Sequence, residues 1–342
     1  MTLRPEGTAA VCRAYLEHGL HVQPQPVRLY SVRAPMFRYD RPQAGRLREF
    51  HQLNVEAIGE GSAAIDAEVI ELAWTFFRAL GISDLTLTLN SIGDRTCRPG
   101  YLEALRRYYE PLLPQLCPDC RRRYHTNVLR LLDCKQTQCQ PHIAAAPRSV
   151  DFLCDPCKAH WAELTSYLSV LSIPYWAEPR LVRGLDYYTR TVFELQPKVE
   201  GAQSVLGGGG RYDGLIEELG GKPTPGVGFA CGFERIILSL KRQGIQPEAR
   251  PKLAAVIISL GDEARDATIK LASALRTSGI SVLLAPARRS MRAQMRYASS
   301  LEAAHAVIVG EDEVRRGIAM VKNMATGDQR EVQLEGVAAA LR

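Results

Sequence analysis

The apolar positions of this chain change period several times, and each change marks an element. Residues 9–18 repeat apolar side chains at helical spacing, with Thr8 as N-cap and Gly19 as stop. Residues 27–33 alternate like a strand, and 36–59 read as two strands joined by a polar Arg-Pro-Gln-Ala-Gly loop at 41–45. Within 50–58 a period of two sends Gln52, Asn54 and Glu56 to one face and Leu53, Val55 and Ala57 to the other. A strand polar on one side and apolar on the other suits a half-exposed surface strand, or, with the arginines around it, the floor of a site. Residues 66–80 predict a helix capped by Asp66 and closed by Gly81, 85–90 a strand, and 99–113 a helix opened by Pro99. After an apolar, helical stretch at 164–173, residues 181–196 supply strands. Residues 204–219 then pass through a glycine cluster into an amphipathic helix, and 225–240 run from a glycine-spaced strand into another helix.

The stretch 241–251, with Gly244, Pro247 and Pro251, reads as a linker, because beyond it the pattern restarts. Strands at 253–260, 282–285 and 306–310 alternate with helices at 262–277 and 291–304; a hairpin around Gly327 and a helix near Val337 follow. That alternation predicts a small α/β domain with a largely parallel sheet. A chain of 342 residues is long enough for two or three domains. The expected division is 1–245, carrying an inserted helical, cysteine-rich subdomain over 116–161, and 252–342.

Composition alters this little. Apolar residues make up 46% and charged residues 23%, ordinary for a soluble globular chain, and a net charge of +6 permits an anionic partner without demanding one. The first residues show neither a signal core nor a transit pattern, and no apolar run is long enough to span a bilayer, so a cytoplasmic protein with no membrane partner is expected. In that compartment the nine cysteines are expected as thiols or metal ligands rather than disulfides.

Candidate chemistry centres on residues 181–194, Leu-Val-Arg-Gly-Leu-Asp-Tyr-Tyr-Thr-Arg-Thr-Val-Phe-Glu. The Arg183 guanidinium is a permanent positive fork for a carboxylate or phosphate, and Tyr187 and Tyr188 offer flat walls with hydroxyl handles. The plainer reading is a buried strand in which Arg183 pairs with Asp186. Arg38, Arg46, Gln52 and Glu56 lie earlier in the chain; Gly-Gly-Gly-Gly-Arg-Tyr-Asp-Gly at 207–214 and Gly-Val-Gly-Phe-Ala-Cys-Gly-Phe-Glu-Arg at 226–235 lie later. Cys117, Cys120, Cys154 and Cys157 form two Cys-x-x-Cys pairs with structural-zinc spacing, with Cys134 and Cys139 as alternative ligands. Arg288, Arg289, Arg292 and Arg296 make an acid-free patch that suits either an RNA backbone or a solvated helix face.

These ordered motifs, with Leu-Arg-Pro-Glu-Gly-Thr at 3–8, resemble histidyl-tRNA synthetase, a class II aminoacyl-tRNA synthetase, from near residue 2 to the C-terminus. The resemblance implies an α/β fold: an α+β catalytic domain on an antiparallel class II sheet, followed by a small α/β anticodon-binding domain. It implies histidine-tRNA ligase activity, with L-histidine, ATP, Mg2+ and tRNA(His) as participants. By the same likeness Arg183, Arg38 and Arg235 are the catalytic cations, and Arg38, Arg46 and Arg235 contact ATP. Glu6, Gly7, Thr8, Gln52, Glu56, Arg183, Tyr187 and Tyr188 would bind histidine: Glu56 and Tyr188 at the two ring nitrogens, Tyr187 as wall, and Glu6, Thr8 and Gln52 at the ammonium. Family members carry a preceding motif 1 segment used for dimer contacts. The sequence opens instead on the 3–8 motif, so an N-terminally incomplete synthetase is expected, and the family's homodimer is set against that missing segment. The rival readings are a synthetase-like regulatory subunit of ATP phosphoribosyltransferase and an inactive synthetase fragment.

Overall fold

A computed structural model describes residues 3–39, 41–42, 47–198, 205–246 and 253–341. In it the chain divides into two units, Met1–Ile245 and Gln246–Arg342. The first is organised by seven strands: β1 (Val27–Phe37), β2 (Glu49–Ile58), β3 (Leu85–Ser91), β4 (Tyr175–Ala177), β5 (Thr189–Pro197), β6 (Gly207–Arg211) and β7 (Gly226–Gly232). They lie in the order β1-β2-β7-β6-β5-β3-β4, antiparallel throughout except for the parallel pair β3–β4. Among the described residues eight α-helices accompany them: α1 (Thr8–Glu17), α2 (Ala63–Ala79), α3 (Arg98–Tyr109), α4 (Pro118–Thr126), α5 (Gln140–Ala144), α6 (Asp155–Val170), α7 (Leu215–Glu218) and α8 (Phe233–Arg242).

The period of two along the strands sorts the two faces of this sheet. Ala57, Val227, Phe229, Cys231, Phe193 and Leu195 all turn to one side, where they meet Ile65, Val69, Ile70, Ala73 and Phe77 of α2 and Leu164 and Leu168 of α6 in one buried core. Full burial of each large aliphatic or aromatic side chain there contributes roughly 1.5–3 kcal/mol. The opposite face is left for polar groups.

Three expectations are corrected. Residues 27–33 and the strand from Met36 are one strand, β1, running on through Pro35 with a register shift between Val32 and Ala34. Thr8 does not cap α1; the Glu6 carboxylate takes the N–H groups of Thr8 and Ala9 at 2.6 and 2.9 Å. Asp66 is no cap either, since α2 begins at Ala63 and Asp66 is wholly buried. Its Oδ1 accepts from Arg211 Nε at 2.7 Å and its Oδ2 from Thr191 Oγ1 at 2.5 Å, because Arg211 projects from β6 toward the helix side. The glycine cluster forms an interior strand, β6. A Cβ on Gly209 would fall 1.9 Å from the Gly228 carbonyl oxygen, so β6 fits between its neighbours only without side chains at that point.

The cysteine-rich segment is helical, and its core reaches outside 116–161: Tyr101, Leu105 and Tyr109 of α3 pack with Val128, Leu131 and Ile143. The second unit contains β8 (Ala255–Leu260), α9 (Glu263–Thr277), β9 (Val282–Leu284), α10 (Met291–Ser300), β10 (His305–Gly310), α11 (Glu311–Arg316), β11 (Ile318–Asn323), β12 (Gln329–Gln333) and α12 (Val337–Ala340). Its sheet order is β12-β11-β10-β8-β9, parallel across β10-β8-β9 and antiparallel beyond. Ile257, Val307 and Val309 face Leu271 and Leu275 of α9, while Val256, Ile258 and Ile308 face Ala298 of α10, so both sides of the sheet are covered. Among the described residues no helix is long and apolar enough to cross a membrane.

Candidate active site

The face of the first sheet turned away from α2 is built from alternate residues of four adjacent strands. On β2 these are Gln52, Asn54 and Glu56; opposite them on β7 stand Gly232, Ala230 and Gly228. Ala230 and Gly228 in turn face Gly208 and Gly210 of β6, which face Glu194 and Val192 of β5. The middle of this face is therefore almost bare backbone. Its rims are polar: the β2 side chains on one side, and the loop 181–188 with Glu194 on the other.

That bareness is forced by the rims. A Cβ at Gly228 would lie 1.9 Å from Glu56 Oε2, one at Gly208 2.8 Å from Arg183 Nη1, and one at Gly210 3.0 Å from Tyr188 Cδ1. The glycines thus let a carboxyl, a guanidinium and an aromatic ring settle low over the sheet.

Glu56 is the most buried of the charged groups on this face, at 1% exposure. Thr8 Oγ1 donates to its Oε1 at 2.8 Å and Tyr212 OH donates to its Oε2 at 2.6 Å. Burial nevertheless dominates, and pushes the carboxyl up to about 8 against those two hydrogen bonds. The other aromatic groups continue the wall. Tyr187 OH donates to Glu6 Oε2 at 3.3 Å, and its ring lies 4.8 Å from that of Tyr188 and 6.0 Å from that of Tyr212. Burial raises the phenols of Tyr187 and Tyr188, which stay protonated hydrogen-bond donors.

Arg183 pairs with Glu194, not with Asp186, so the plainer sequence reading of that arginine is set aside. Its guanidinium carbon sits 6.0 Å from the Tyr188 ring centre, and its Nε has no hydrogen-bond partner among the described residues. Asp186 is held elsewhere, accepting from Asn127 Nδ2 at 2.7 Å. Gln52 Oε1 and Asn54 Oδ1 are likewise buried without a partner among the described residues. Gly7 presses on Asn54, since a Cβ there would be 2.7 Å from Nδ2. Glu6, Gly7, Thr8, Gln52, Glu56, Arg183, Tyr187 and Tyr188 therefore line one continuous surface.

Arg38 and Arg235 belong to the end of the face near the β1–β2 turn. The Arg38 guanidinium lies 4.3 Å from the Phe50 ring centre, two residues before Gln52 on the same side of β2. Arg235, in the first turn of α8, donates from Nη1 to the Val205 carbonyl at 2.9 Å. Its neighbour Glu234 receives His51 Nδ1 at 2.9 Å and the His51 backbone N–H at 3.0 Å, tying α8 to β2. Arg46 lies outside the described residues.

Sequence reasoning missed Tyr212, Asn54 as a contact of Gly7, and Glu194. Tyr212 had no signal beyond its place after the glycine strand; Asn54 was on the polar face by period; Glu194 follows from β5 pairing with Gly208. The expected single cysteine site is also corrected. Cys117 and Cys120 gather with Cys134 and Cys139, whereas Cys154 and Cys157 gather with Cys97 and Asp94. Helix α6, opening at Asp155, carries the second Cys-x-x-Cys pair to the Asp94–Cys97 turn instead.

A family model for histidyl-tRNA synthetase matches residues 1–93 and 129–236, and one for an anticodon binding domain matches 254–342. The chain is 55% identical over 335 residues to a histidine–tRNA ligase of Dehalococcoides mccartyi, covering 98% of this chain and 80% of that protein. It is 49% identical to one of Symbiobacterium thermophilum, over all of this chain and 79% of the relative. Among solved structures, apo histidyl-tRNA synthetase of S. aureus superposes with a TM-score of 0.80 at 39% identity, over 99% of this chain and 83% of that one. A Bacillus halodurans protein described as an ATP phosphoribosyltransferase regulatory subunit/histidyl-tRNA synthetase shares the fold at 22% identity and a TM-score of 0.60.

Proposed function

We propose that this chain, which belongs to the histidyl-tRNA synthetase family, activates L-histidine with ATP and transfers it to the 3′ end of tRNA(His). The observation that carries the reading is the Glu56 carboxyl, sunk beside a glycine floor and braced by Thr8 and Tyr212 hydroxyls. Few ligands reward such an acceptor. An imidazole N–H does, and Tyr188 stands on the same surface for the other ring nitrogen. The acceptor atoms of Glu6, Thr8 and Gln52 suit an α-ammonium, and the buried, unpartnered Gln52 Oε1 supports that role. A site that bonds both ring nitrogens rejects apolar amino acids by roughly 10⁴-fold, because its own polar groups would be left unpaired.

In the first step a histidine carboxylate oxygen attacks the α-phosphorus of Mg2+-bound ATP, and the bond to pyrophosphate breaks. Arg183 would hold the attacking carboxylate against the α-phosphate. Arg38 would neutralise charge on that phosphate, Arg46 would face the phosphates or the adenine, and Arg235 would meet the departing phosphates from the positive end of α8. In the second step the terminal ribose hydroxyl of the tRNA attacks the activated carbonyl and AMP leaves. The second unit would hold the tRNA, with Arg289 and Arg296, which flank a surface concavity with Tyr297, on the backbone-binding face. The edge strand β1 exposes Tyr30, at 77%, and Val32, and this edge is the surface we assign to a second copy in a homodimer. Such an enzyme works in the cytoplasm, with its tRNA.

Histidine-dependent exchange of label between pyrophosphate and ATP tests the reading. The wild-type chain should exchange and Arg183→Ala should not, while its circular dichroism stays native. Exchange by the variant at near wild-type rate refutes the role of Arg183, and exchange that does not require histidine refutes the substrate.

A further inference from the structure

Four cysteines in the lobe that follows α3 have the dimensions of a metal centre. Cys117, Cys120, Cys134 and Cys139 are all buried, and their sulfurs lie within 4.8 Å of one another. All four are free thiols. The Cys117 and Cys134 sulfurs are 3.8 Å apart, well beyond the about 2.05 Å of a disulfide bond. Thiolates bound to zinc at about 2.3 Å in a tetrahedron place their sulfurs about 3.8 Å from one another.

The surroundings treat these sulfurs as acceptors. Cys120 N–H points at Cys117 Sγ at 3.4 Å, Cys117 N–H at Cys139 Sγ at 3.4 Å, and Gln136 N–H at Cys134 Sγ at 3.5 Å. Backbone donors aimed at three of the four sulfurs stabilise negative charge on them, as the outer shell of a metal–thiolate site does. Cys117 also caps α4 through its sulfur, so the first two ligands are fixed by a helix start. The lobe needs such a fastening: between α3 and α6 its longest helix is the nine-residue α4, and the rest is 3₁₀ turns and the five-residue α5. Helices this short do not hold themselves together in water.

The geometry points to one structural zinc ion bound by the Cys117, Cys120, Cys134 and Cys139 thiolates, the four thiol protons passing to solvent as the metal binds. Soft sulfur donors in a closed tetrahedral set favour zinc, and a site with no open position has no catalytic duty. Its reach extends toward the candidate active site. Asn127 and Arg130 sit between the second and third ligands; Asn127 Nδ2 bonds Asp186 at 2.7 Å and Arg130 Nη2 bonds the Gly184 carbonyl at 2.5 Å. Zinc would thus brace the loop that carries Arg183, a consequence that rests on the proposed function although the metal site itself does not. The second cluster is different: it is less buried, and Arg190 Nη2 lies 3.4 Å from the Asp94 carboxylate.

The full-length chain, purified under reducing conditions from cells grown with zinc, tests this by elemental analysis. Wild type should carry zinc, and Cys134→Ser/Cys139→Ser should carry one equivalent less, whereas Cys154→Ser should keep that equivalent. Cobalt substitution of the wild type should give the intense charge-transfer and tetrahedral d–d bands of a tetrathiolate. Should the double variant fail to fold, mercurial titration of the wild type should release zinc into a colorimetric indicator as four buried thiols react. Wild type without zinc, zinc content unchanged in the double variant, loss of the equivalent in Cys154→Ser, or iron in zinc's place each overturns the assignment.

Discussion

Replacing Glu56 by Gln isolates the group on which the site reading depends. Burial moves this carboxyl from 4.5 to about 8. At about 1.4 kcal/mol per unit, ionising it in the ligand-free fold costs on the order of 5 kcal/mol more than in the unfolded chain. The sign follows from proton counts. Between those two values the native state keeps a proton that the unfolded state releases, so the contribution is complete below about pH 4.5. It is lost as pH climbs through about 8. Wild type should therefore weaken across that window more than Glu56→Gln, whose amide does not titrate. Asp66 is also pushed up by burial, to about 6, but it is present in both proteins and cancels in the difference. The three tryptophans, Trp74, Trp161 and Trp176, all fall in the first unit, so urea unfolding followed by tryptophan fluorescence reads that unit without the second. Profiles measured from pH 5 to 9 should diverge by a few kcal/mol, the variant being the more stable at the alkaline end. The same variant should bind histidine roughly 3–10-fold more weakly, the size of one ordinary hydrogen bond. Parallel pH profiles would refute the argument that Glu56 is held in a low-dielectric site.

Other substitutions probe its supports. Tyr212→Phe removes the hydroxyl that donates to Glu56 Oε2 at 2.6 Å, and should weaken histidine binding by about 1–2 kcal/mol by calorimetry while the protein stays folded. Asp66→Ala strands the fully buried Arg211, whose remaining partners are Asp213 and the Glu60 and Ser62 carbonyls; a loss of about 3–5 kcal/mol in urea unfolding is expected, and a loss under 1 kcal/mol would contradict it. Gly209→Ala drives a methyl to 1.9 Å from the Gly228 backbone oxygen, and should collapse the soluble yield or lower the unfolding midpoint sharply.

How much of this was legible in the sequence depended on whether a local rule governed the residue. Glu56 and Gln52 were placed on a polar face by a period of two, and the sheet keeps that period because the other side must bury Val55 and Ala57 against α2. Asp66 is the opposite case. An acid near a helix start looks like a cap, and only the register of β6, which turns Arg211 toward α2, makes it a buried counter-ion. The cysteines show the same limit. Two Cys-x-x-Cys pairs in one segment invite a joint site, since spacing within a pair is set by one helix turn. Spacing between pairs is not: α6 carries Cys154 and Cys157 to Asp94 and Cys97, some sixty positions earlier, with Cys97 Sγ 3.8 Å from Cys157 Sγ. Cys134 and Cys139 then complete the set begun by Cys117 and Cys120. The partner of a chemical group becomes readable from sequence when a regular element fixes the interval between them, and it has to be seen when a turn, a crossover or a whole helix intervenes. Arg183 lies on that boundary. Its residue type announced an anion clamp, but its pairing with Glu194 instead of Asp186 was decided by β5 lying against a strand of glycines, which leaves the guanidinium room to lie flat over Gly208.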